Sequence, residues 1–237
     1  MERYTRQIAL SEIGLEGQHK LAAATVLCVG AGGLASHALP LLAATGVGHL
    51  VIADDDIVVL SNLQRQTLYI TAQVGQKKIL CAREHFLALN PEIAVTIHDT
   101  RLTLDNAETL VSDCDIVVDA TDNFPARHAI SDVCTRLRKP HVFASVKGFQ
   151  GQAAVFVPHI AGPCYRCLVP IPPESTEPLN VLGSIPALLG TIQANETLKL
   201  ILGIGKPLRS RMWHCDALTM RTREIAITPD PQCACQS

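Results

Sequence analysis

The residues best placed to do chemistry are a cluster of glycines, a few acids and bases behind them, and two pairs of cysteines. Gly30, Gly32 and Ala35 fit the spacing G-x-G-x-x-[GA] within the run Gly30-Ala31-Gly32-Gly33. In that pattern the first glycine makes a tight turn, the second lets the backbone approach a phosphate, and the small third residue lets helix pack on strand. Asp54 follows about 20 residues later, where a carboxylate can hold ribose hydroxyls. The spacing predicts a nucleotide with its phosphates over Gly30–Gly33 and its ribose at Asp54. An NAD site needs little more, but here a polar run, Ser61-Asn62-Leu63-Gln64-Arg65-Gln66, follows at once and points toward phosphate chemistry. Lys77 and Lys78 stand at the start of a predicted helix, where cations oppose the macrodipole, so one of them is expected to face a phosphate. Asp119 and Asp122 close an apolar run; a carboxylate there can hold Mg²⁺, and Asp122 can equally cap the helix that follows. Cys164/Cys167 and Cys233/Cys235 have the logic of a tetrahedral thiolate zinc site, although the second pair encloses one residue rather than two.

These groups need a scaffold, and the pattern around them supplies one. Thr25–Val29, His49–Ala53, Ala94–His98, 116–120, 141–146 and 152–157 read as short strands, with helices over 34–44, 76–90, 104–111 and 124–137 between them. The alternation predicts a Rossmann-like, doubly wound and mostly parallel sheet, with parallel winding continuing into the sixth strand. Beyond Pro158 the texture changes: a cysteine loop, a segment from Pro170 to Pro178 holding four prolines, a long helix over 185–202 and two alternating strands over 211–215 and 221–227. One domain is expected. Residues 1–24 form its N-terminal helical segment, 25–157 its nucleotide-binding core, and 158–237 a zinc-pinned loop region with a C-terminal antiparallel extension.

Composition narrows the function classes. The 237 residues are 48% hydrophobic with a formal net charge of −2 and no long basic run, which argues against nucleic acid or anionic lipid as partner. The most apolar long window, 185–202, contains Gln193, Asn195, Glu196 and Lys199, and no signal peptide precedes Tyr4, so no membrane span and a cytoplasmic location are expected. Nine cysteines, several within apolar runs (Cys28, Cys81, Cys134), read as reduced thiols. No P-loop lysine motif, nucleophile elbow or H-E-x-x-H is present.

Taken together, Arg3-Tyr-x-Arg6-Gln, the glycine loop, Asp54-Asp-Asp56, Ser61-Asn-Leu-Gln-Arg65-Gln, Gly75-Gln-x-Lys78, Asp119-x-Thr-Asp122-Asn123 and Cys164-Tyr-Arg-Cys167 are very similar to the ThiF/MoeB/HesA family, bacterial relatives of ubiquitin-activating enzymes. The likeness runs from Arg3 to Cys235, and the 61–66 run with the 119–123 motif is far more specific than the glycines. The resemblance implies a homodimer that uses ATP to adenylate the C-terminal glycine of a ubiquitin-like sulfur-carrier protein of the thiamine or molybdopterin type. It further implies that Arg65 and Lys78 act as phosphate cations, that Asp122 holds Mg²⁺ and that Arg6 reaches in from the other protomer. Ser61, Asn62, Leu63, Gln64 and Arg65 line the triphosphate, with Gly30, Gly32, Gly33, Asp54, Asp56 and Asn123 among the nucleotide contacts. The four cysteines would hold Zn²⁺ and pin the loops that flank the carrier's tail.

One departure bears on mechanism. The position at which many family members carry a mobile cysteine falls near Thr176, and no cysteine occurs between Cys167 and Cys215. Sulfur is therefore expected from a separate donor such as a cysteine desulfurase or rhodanese. Other readings are a relative that adenylates a peptide or other small protein, an NAD-dependent oxidoreductase, and a non-catalytic partner subunit, which would lack the phosphate-binding cations retained here.

Overall fold

In a computed structural model, which describes residues 2–160, 162–172 and 180–236, eight strands and eight α-helices follow one another. The order is α1 (Thr5–Ile8), α2 (Gly14–Ala23), β1 (Thr25–Val29), α3 (Ala35–Thr45), β2 (His49–Ala53), α4 (Lys78–Leu89), β3 (Ala94–His98), α5 (Ala107–Val111), β4 (Ile116–Asp119), α6 (Phe124–Arg136), β5 (His141–Lys147), β6 (Gln150–Phe156), α7 (Tyr165–Leu168), α8 (Ser184–Leu202), β7 (Arg211–Asp216) and β8 (Arg221–Ala226). The short aliphatic runs of β1, β2 and β4 become strands whose two faces are both covered. Val26, Leu27 and Cys28 of β1 are all fully buried, Cys28 toward Leu39 and Leu50 and Leu27 toward Val51 and Val117. Helix 104–111 begins only at Ala107, because the Asn106 side chain accepts from the Thr103 amide and donates to the Arg101 carbonyl, holding the preceding residues in a turn.

The sheet order is β3-β2-β1-β4-β5-β6-β7-β8. The first five strands are parallel, and β5–β6, β6–β7 and β7–β8 pair antiparallel. Parallel winding thus stops one strand earlier than expected. A parallel return needs a crossover of a dozen or more residues, whereas only Gly148 and Phe149 separate β5 from β6, so the chain can only make a hairpin. The chain winds from β1 outward through β2 to β3, then restarts at β4 on the other side of β1. This reversal opens a crevice at the carboxyl ends of β1 and β4, the place where such sheets bind ligands. Helix α8 closes one face, packing on α3 and across β5 and β6. No helix among the described residues is long and apolar enough to cross a membrane.

Candidate active site

Strand β1 ends where Gly30 takes φ +94°, a left-handed conformation that L side chains rarely adopt, and a Cβ there would lie 2.8 Å from the Ala120 carbonyl oxygen. Gly32 differs: a Cβ would meet nothing closer than Gln66 Nε2 at 3.6 Å, so the protein itself does not demand glycine there and the bare backbone faces open space. The loop is tied on two sides. The Ala31 amide donates to Asp54 Oδ2 at 2.7 Å, and the Tyr69 hydroxyl donates to the Ala31 carbonyl at 2.7 Å. No side chain caps the start of α3, which leaves its first turn turned toward the crevice without a protein anion. Burial pushes the Asp54 carboxyl above its ordinary value; the Ala31 amide and the Lys78 charge pull the other way without cancelling it.

A cavity of about 240 Å³ lies over this loop. Of the residues singled out from sequence, Gly30, Gly32, Gly33, Asp54, Asp56, Asn62, Arg65, Lys78, Asp122 and Asn123 line it. Ser61, Leu63 and Gln64 belong to the same polar run but are not among its walls. Arg6, exposed on α1, does not reach it either, so any part it plays here requires a second chain. The run is shaped by a 3₁₀ turn at Leu60–Asn62, from which the Arg65 guanidinium donates to Asn62 Oδ1 at 2.9 Å; no carboxylate pairs with Arg65 among the described residues. Of the two lysines at the start of α4, Lys77 turns to Asp99 and the Asp55 carbonyl at the surface. Lys78 turns inward, its side chain 3% exposed and its Nζ 2.8 Å from Asp56 Oδ2. Arg65 and Lys78 are thus poised differently: the first pairs with no carboxylate among the described residues, and the second rests on Asp56.

The carboxyl end of β4 supplies the third wall. The cap of α6 is Asn123, whose Oδ1 accepts from the Ala126 amide at 3.0 Å. Asp122 is therefore not spent as a cap; it is exposed, with only Asn123 Nδ2 at 3.4 Å from its carboxylate, and it can take an external cation. Asp119 points inward instead and is fully buried. Its Oδ2 meets His141 Nε2 at 3.0 Å, and its Oδ1 accepts from the Thr121 amide and hydroxyl. Burial would push the Asp119 carboxyl up, but His141, Arg127 and Thr121 together outweigh it and hold it below the ordinary value. Gln66, the last residue of the polar run, also lines the cavity, as do Arg101 and Arg127, which were not singled out from sequence. Arg127 stands in a run with clear helical periodicity, where an arginine reads as a solvated face; only its placement one turn beyond Asn123 hints at anything else. Gln66 Oε1 and Arg127 Nε are buried there without a hydrogen-bond partner, two unsatisfied polar atoms in the walls of one cavity.

The cysteine pairs converge at the other end of the sheet. Because β6 runs antiparallel to β5, the chain leaves it beside the start of β5, away from the crevice, and β8 delivers the C-terminal pair to the same place. Cys164 Sγ lies 3.5 Å from Cys233 Sγ, Cys167 Sγ lies 3.5 Å from Cys235 Sγ, and all four sulfurs fall within 4.8 Å of one another. Four thiolates at a zinc–sulfur distance of about 2.3 Å stand about 3.8 Å apart in a tetrahedron, so this set fits a tetrahedral ion, and the single residue between Cys233 and Cys235 does not prevent it. The four sulfurs meet at this remote end. Val181 bridges to Gly148 and lines the cavity.

Comparison with known proteins bears directly on this arrangement. The ThiF family profile matches residues 4–236. The chain is 43% identical over 242 residues to the sulfur carrier protein adenylyltransferase of Thermus thermophilus, covering 98% of this chain and 89% of that one. It is 42% identical to the SAMP-activating enzyme E1 of Haloferax volcanii, covering 98% and 87%. It is 44% identical to the adenylyltransferase and sulfurtransferase MOCS3 of Arabidopsis thaliana, covering 95% of this chain but only 49% of that one, so it spans about half the length of that relative. The fold superposes on Escherichia coli MccB crystallised with ATP at a TM-score of 0.88 and 22% identity, over 100% of this chain and 75% of that one. The chain belongs to the ThiF family.

Proposed function

We propose that this protein is a nucleotidyltransferase that uses ATP to adenylate the C-terminal carboxylate of a ubiquitin-like sulfur-carrier protein in the cytoplasm. The observation that carries the reading is the convergence of a bare glycine loop, Asp54, Arg65, Lys78 and Asp122 on one cavity, in a chain that matches named adenylyltransferases over almost its full length. The carrier carboxylate is already ionised at neutral pH, so its oxygen attacks the α-phosphorus without a general base. The bond from that phosphorus to the β-phosphate oxygen breaks, and pyrophosphate leaves with the electron pair. What remains is electrostatic work: charge gathers on the α-phosphoryl oxygens and on the leaving group, and fixed cations in a water-poor cleft stabilise it. Arg65, which pairs with no carboxylate among the described residues, faces that charge directly. Lys78 transfers its contact from Asp56 to phosphate when the nucleotide arrives. Asp122 holds Mg²⁺, which supplies further neutralisation of phosphate charge, and Asp54 holds the ribose. An NAD-dependent oxidoreductase would leave Arg65, Lys78 and Asp122 without work.

The protein acts as a homodimer, in which Arg6 of one chain completes the cleft of the other, and the four cysteines hold Zn²⁺ as a structural ion. The acyl-adenylate is the enzyme's product. No cysteine lies between Cys167 and Cys215, and Thr176, at the position of the loop thiol in many relatives, falls outside the described residues; a hydroxyl there has too high a pKa to replace a thiol. Sulfur is delivered by a separate desulfurase or rhodanese. ATP–pyrophosphate exchange, run with thiamine-type carriers, molybdopterin-type carriers and small peptides in turn, tests the reading. Exchange with a carrier supports it, exchange with a peptide alone reassigns the acceptor, and NAD binding without exchange overturns it. Mass spectrometry of enzyme, carrier and ATP without reductant is expected to show no covalent adduct; a conjugate mapped to any cysteine would refute the adenylate-only route.

A further inference from the structure

The turn that carries Asp122 is held in an unusual way. Thr121, the residue before it, has three polar groups, and a buried charged side chain takes each of them. Its amide and its hydroxyl both donate to Asp119 Oδ1, at 3.0 and 2.6 Å, and its carbonyl accepts from Arg127 Nη2 at 2.9 Å. The other oxygen of Asp119 is fixed by His141, and the Asp119 carbonyl is held by Gln193 Nε2 at 2.7 Å. Arg127 itself lies 8% exposed between the rings of Phe124 and Phe143, at 5.6 and 5.5 Å from their centroids, with its Nε unpartnered. No carboxylate contacts its guanidinium directly among the described residues. Burying a guanidinium in this way is costly, and a well-packed apolar side chain of similar volume would serve stability as well or better. What the arginine adds is position. One rigid fork, anchored one turn inside α6, reaches back to the peptide that presents Asp122, while Asn123 caps the same helix from the other side of that aspartate.

We infer that Arg127 is a positioning residue: together with Asp119 it clamps Thr121 and thereby fixes the peptide that presents Asp122 to a nucleotide-bound divalent metal. The inference rests on the reading that Asp122 holds the metal. The three polar groups of Thr121 and both carboxylate oxygens of Asp119 are engaged, while the exposed Asp122 carboxylate, which lines the cavity, is held only by Asn123 Nδ2 at 3.4 Å among the described residues. The clamp therefore stops one residue short of the ligand, as a support for a metal contact should.

The test is titration calorimetry of the full-length protein with ATP and Mn²⁺, and separately with ATP and no added divalent metal, for the parent, Arg127→Lys and Thr121→Val. Arg127→Lys keeps the charge and loses the fork; Thr121→Val keeps the shape and loses the hydroxyl bond to Asp119. Each is expected to weaken binding of ATP with Mn²⁺ about tenfold, as loss of a supporting partner commonly does for a metal site, while metal-free ATP binding changes by less than about twofold. Thr121→Ser restores the hydroxyl and should bind like the parent. Combining Arg127→Lys with Asp122→Ala should add nothing to Asp122→Ala alone. In the protein without nucleotide, hydrogen exchange at the amides of 120–123 should speed up in Arg127→Lys. Equal weakening with and without metal, no weakening, or unchanged exchange would each overturn the clamp; if Arg127→Lys fails to fold, the valine and serine variants decide. A parent protein that shows this metal-specific pattern but never exchanges pyrophosphate refutes adenylation and leaves the clamp standing.

Discussion

The two ends of the sheet solve the problem of holding a site in opposite ways. At the crevice the groups are preorganised by the protein alone: Asp54 is braced by two amides, Arg65 by Asn62, Lys78 by Asp56, and the Asp122 turn by Asp119 and Arg127. At the remote end four cysteines from two stretches of chain bring their sulfurs within 4.8 Å of one another, and burial pushes the Cys164 thiol up. Four thiols in van der Waals contact make poor mutual partners; four thiolates around a metal make a strong cluster. On the reading proposed above, the crevice groups are held by protein partners and take up a nucleotide, whereas the cysteine end would be completed by an ion. The difference predicts that stability and catalysis can be disturbed separately.

The largest expected effect comes from the cysteine end. Metal analysis should find one zinc per chain, and removing it with a strong chelator should lower the melting temperature by roughly 10 °C or more, taking about 2–4 °C per kcal/mol for a chain of this size and a loss of several kcal/mol. Cys164→Ser should do the same, and metal analysis showing no zinc would erase the contrast between the two ends. Next come Arg65→Ala and Lys78→Ala, each expected to cost about 3 kcal/mol or more of transition-state stabilisation, about a hundredfold in carrier-dependent pyrophosphate exchange, with melting temperature nearly unchanged. Parental exchange by either variant would remove that residue from the site. Asp122→Ala should follow, with part of the rate regained at raised Mg²⁺; indifference to both would remove the metal contact.

A smaller effect concerns pH. The Asp54 carboxyl titrates above the ordinary aspartate value because it is buried, so its ionised form is the costly one for folding, and acidification relieves rather than adds strain at that residue. Its ability to accept from ribose is lost on the same protonation. ATP affinity should therefore decline on acidification from a pH above the usual aspartate range, and Asp54→Asn, though weaker at neutral pH, should lack that limb. Asp119 behaves oppositely. Held low by His141 and Arg127, it contributes stability that is present above the ordinary carboxylate value and lost only as pH falls through its depressed one. Binding titrations across this range check the first statement; the acid limb of thermal unfolding in Asp119→Asn, which should be flatter than the parent's, checks the second.

Much of the scaffold is legible from local pattern, for a physical reason. Strands β1 and β2 are apolar runs followed by glycine or aspartate, because parallel strands inside the sheet are covered on both faces and must stop where the ligand crevice begins. The β5–β6 hairpin was harder to see because Lys147, Gln150 and Gln152 make its turn look like a polar connection, and the strands extend into that polar stretch. At the crevice, the family resemblance supplies Arg65, Lys78 and Asp122, and motif spacing by itself points to Asp54 and to one of the two lysines. It cannot tell that Lys78 rather than Lys77 turns inward, since that depends on which acid, Asp56 or Asp99, stands nearby in space. Arg127 was invisible as a site residue because helical periodicity is read for its apolar positions, and a buried arginine leaves no trace in it. The cysteine spacing shows two half-sites but carries no information on which end of the sheet they meet.

The pairing of Cys164 with Cys233, 69 positions apart, has a consequence for the unfolded chain. Between them lie α8 and the β7–β8 hairpin, which reach the sheet only after a long excursion across its face. An ion that joined the two loops early would turn that excursion into a closed ring, removing conformational entropy from the unfolded state by an amount that a covalent link of similar span would put at about 4 kcal/mol. The ring would have far fewer ways to misplace its last two strands. Refolding in the presence of metal should then bury Trp213 on β7 faster than refolding without it, an effect on assembly and not on chemistry.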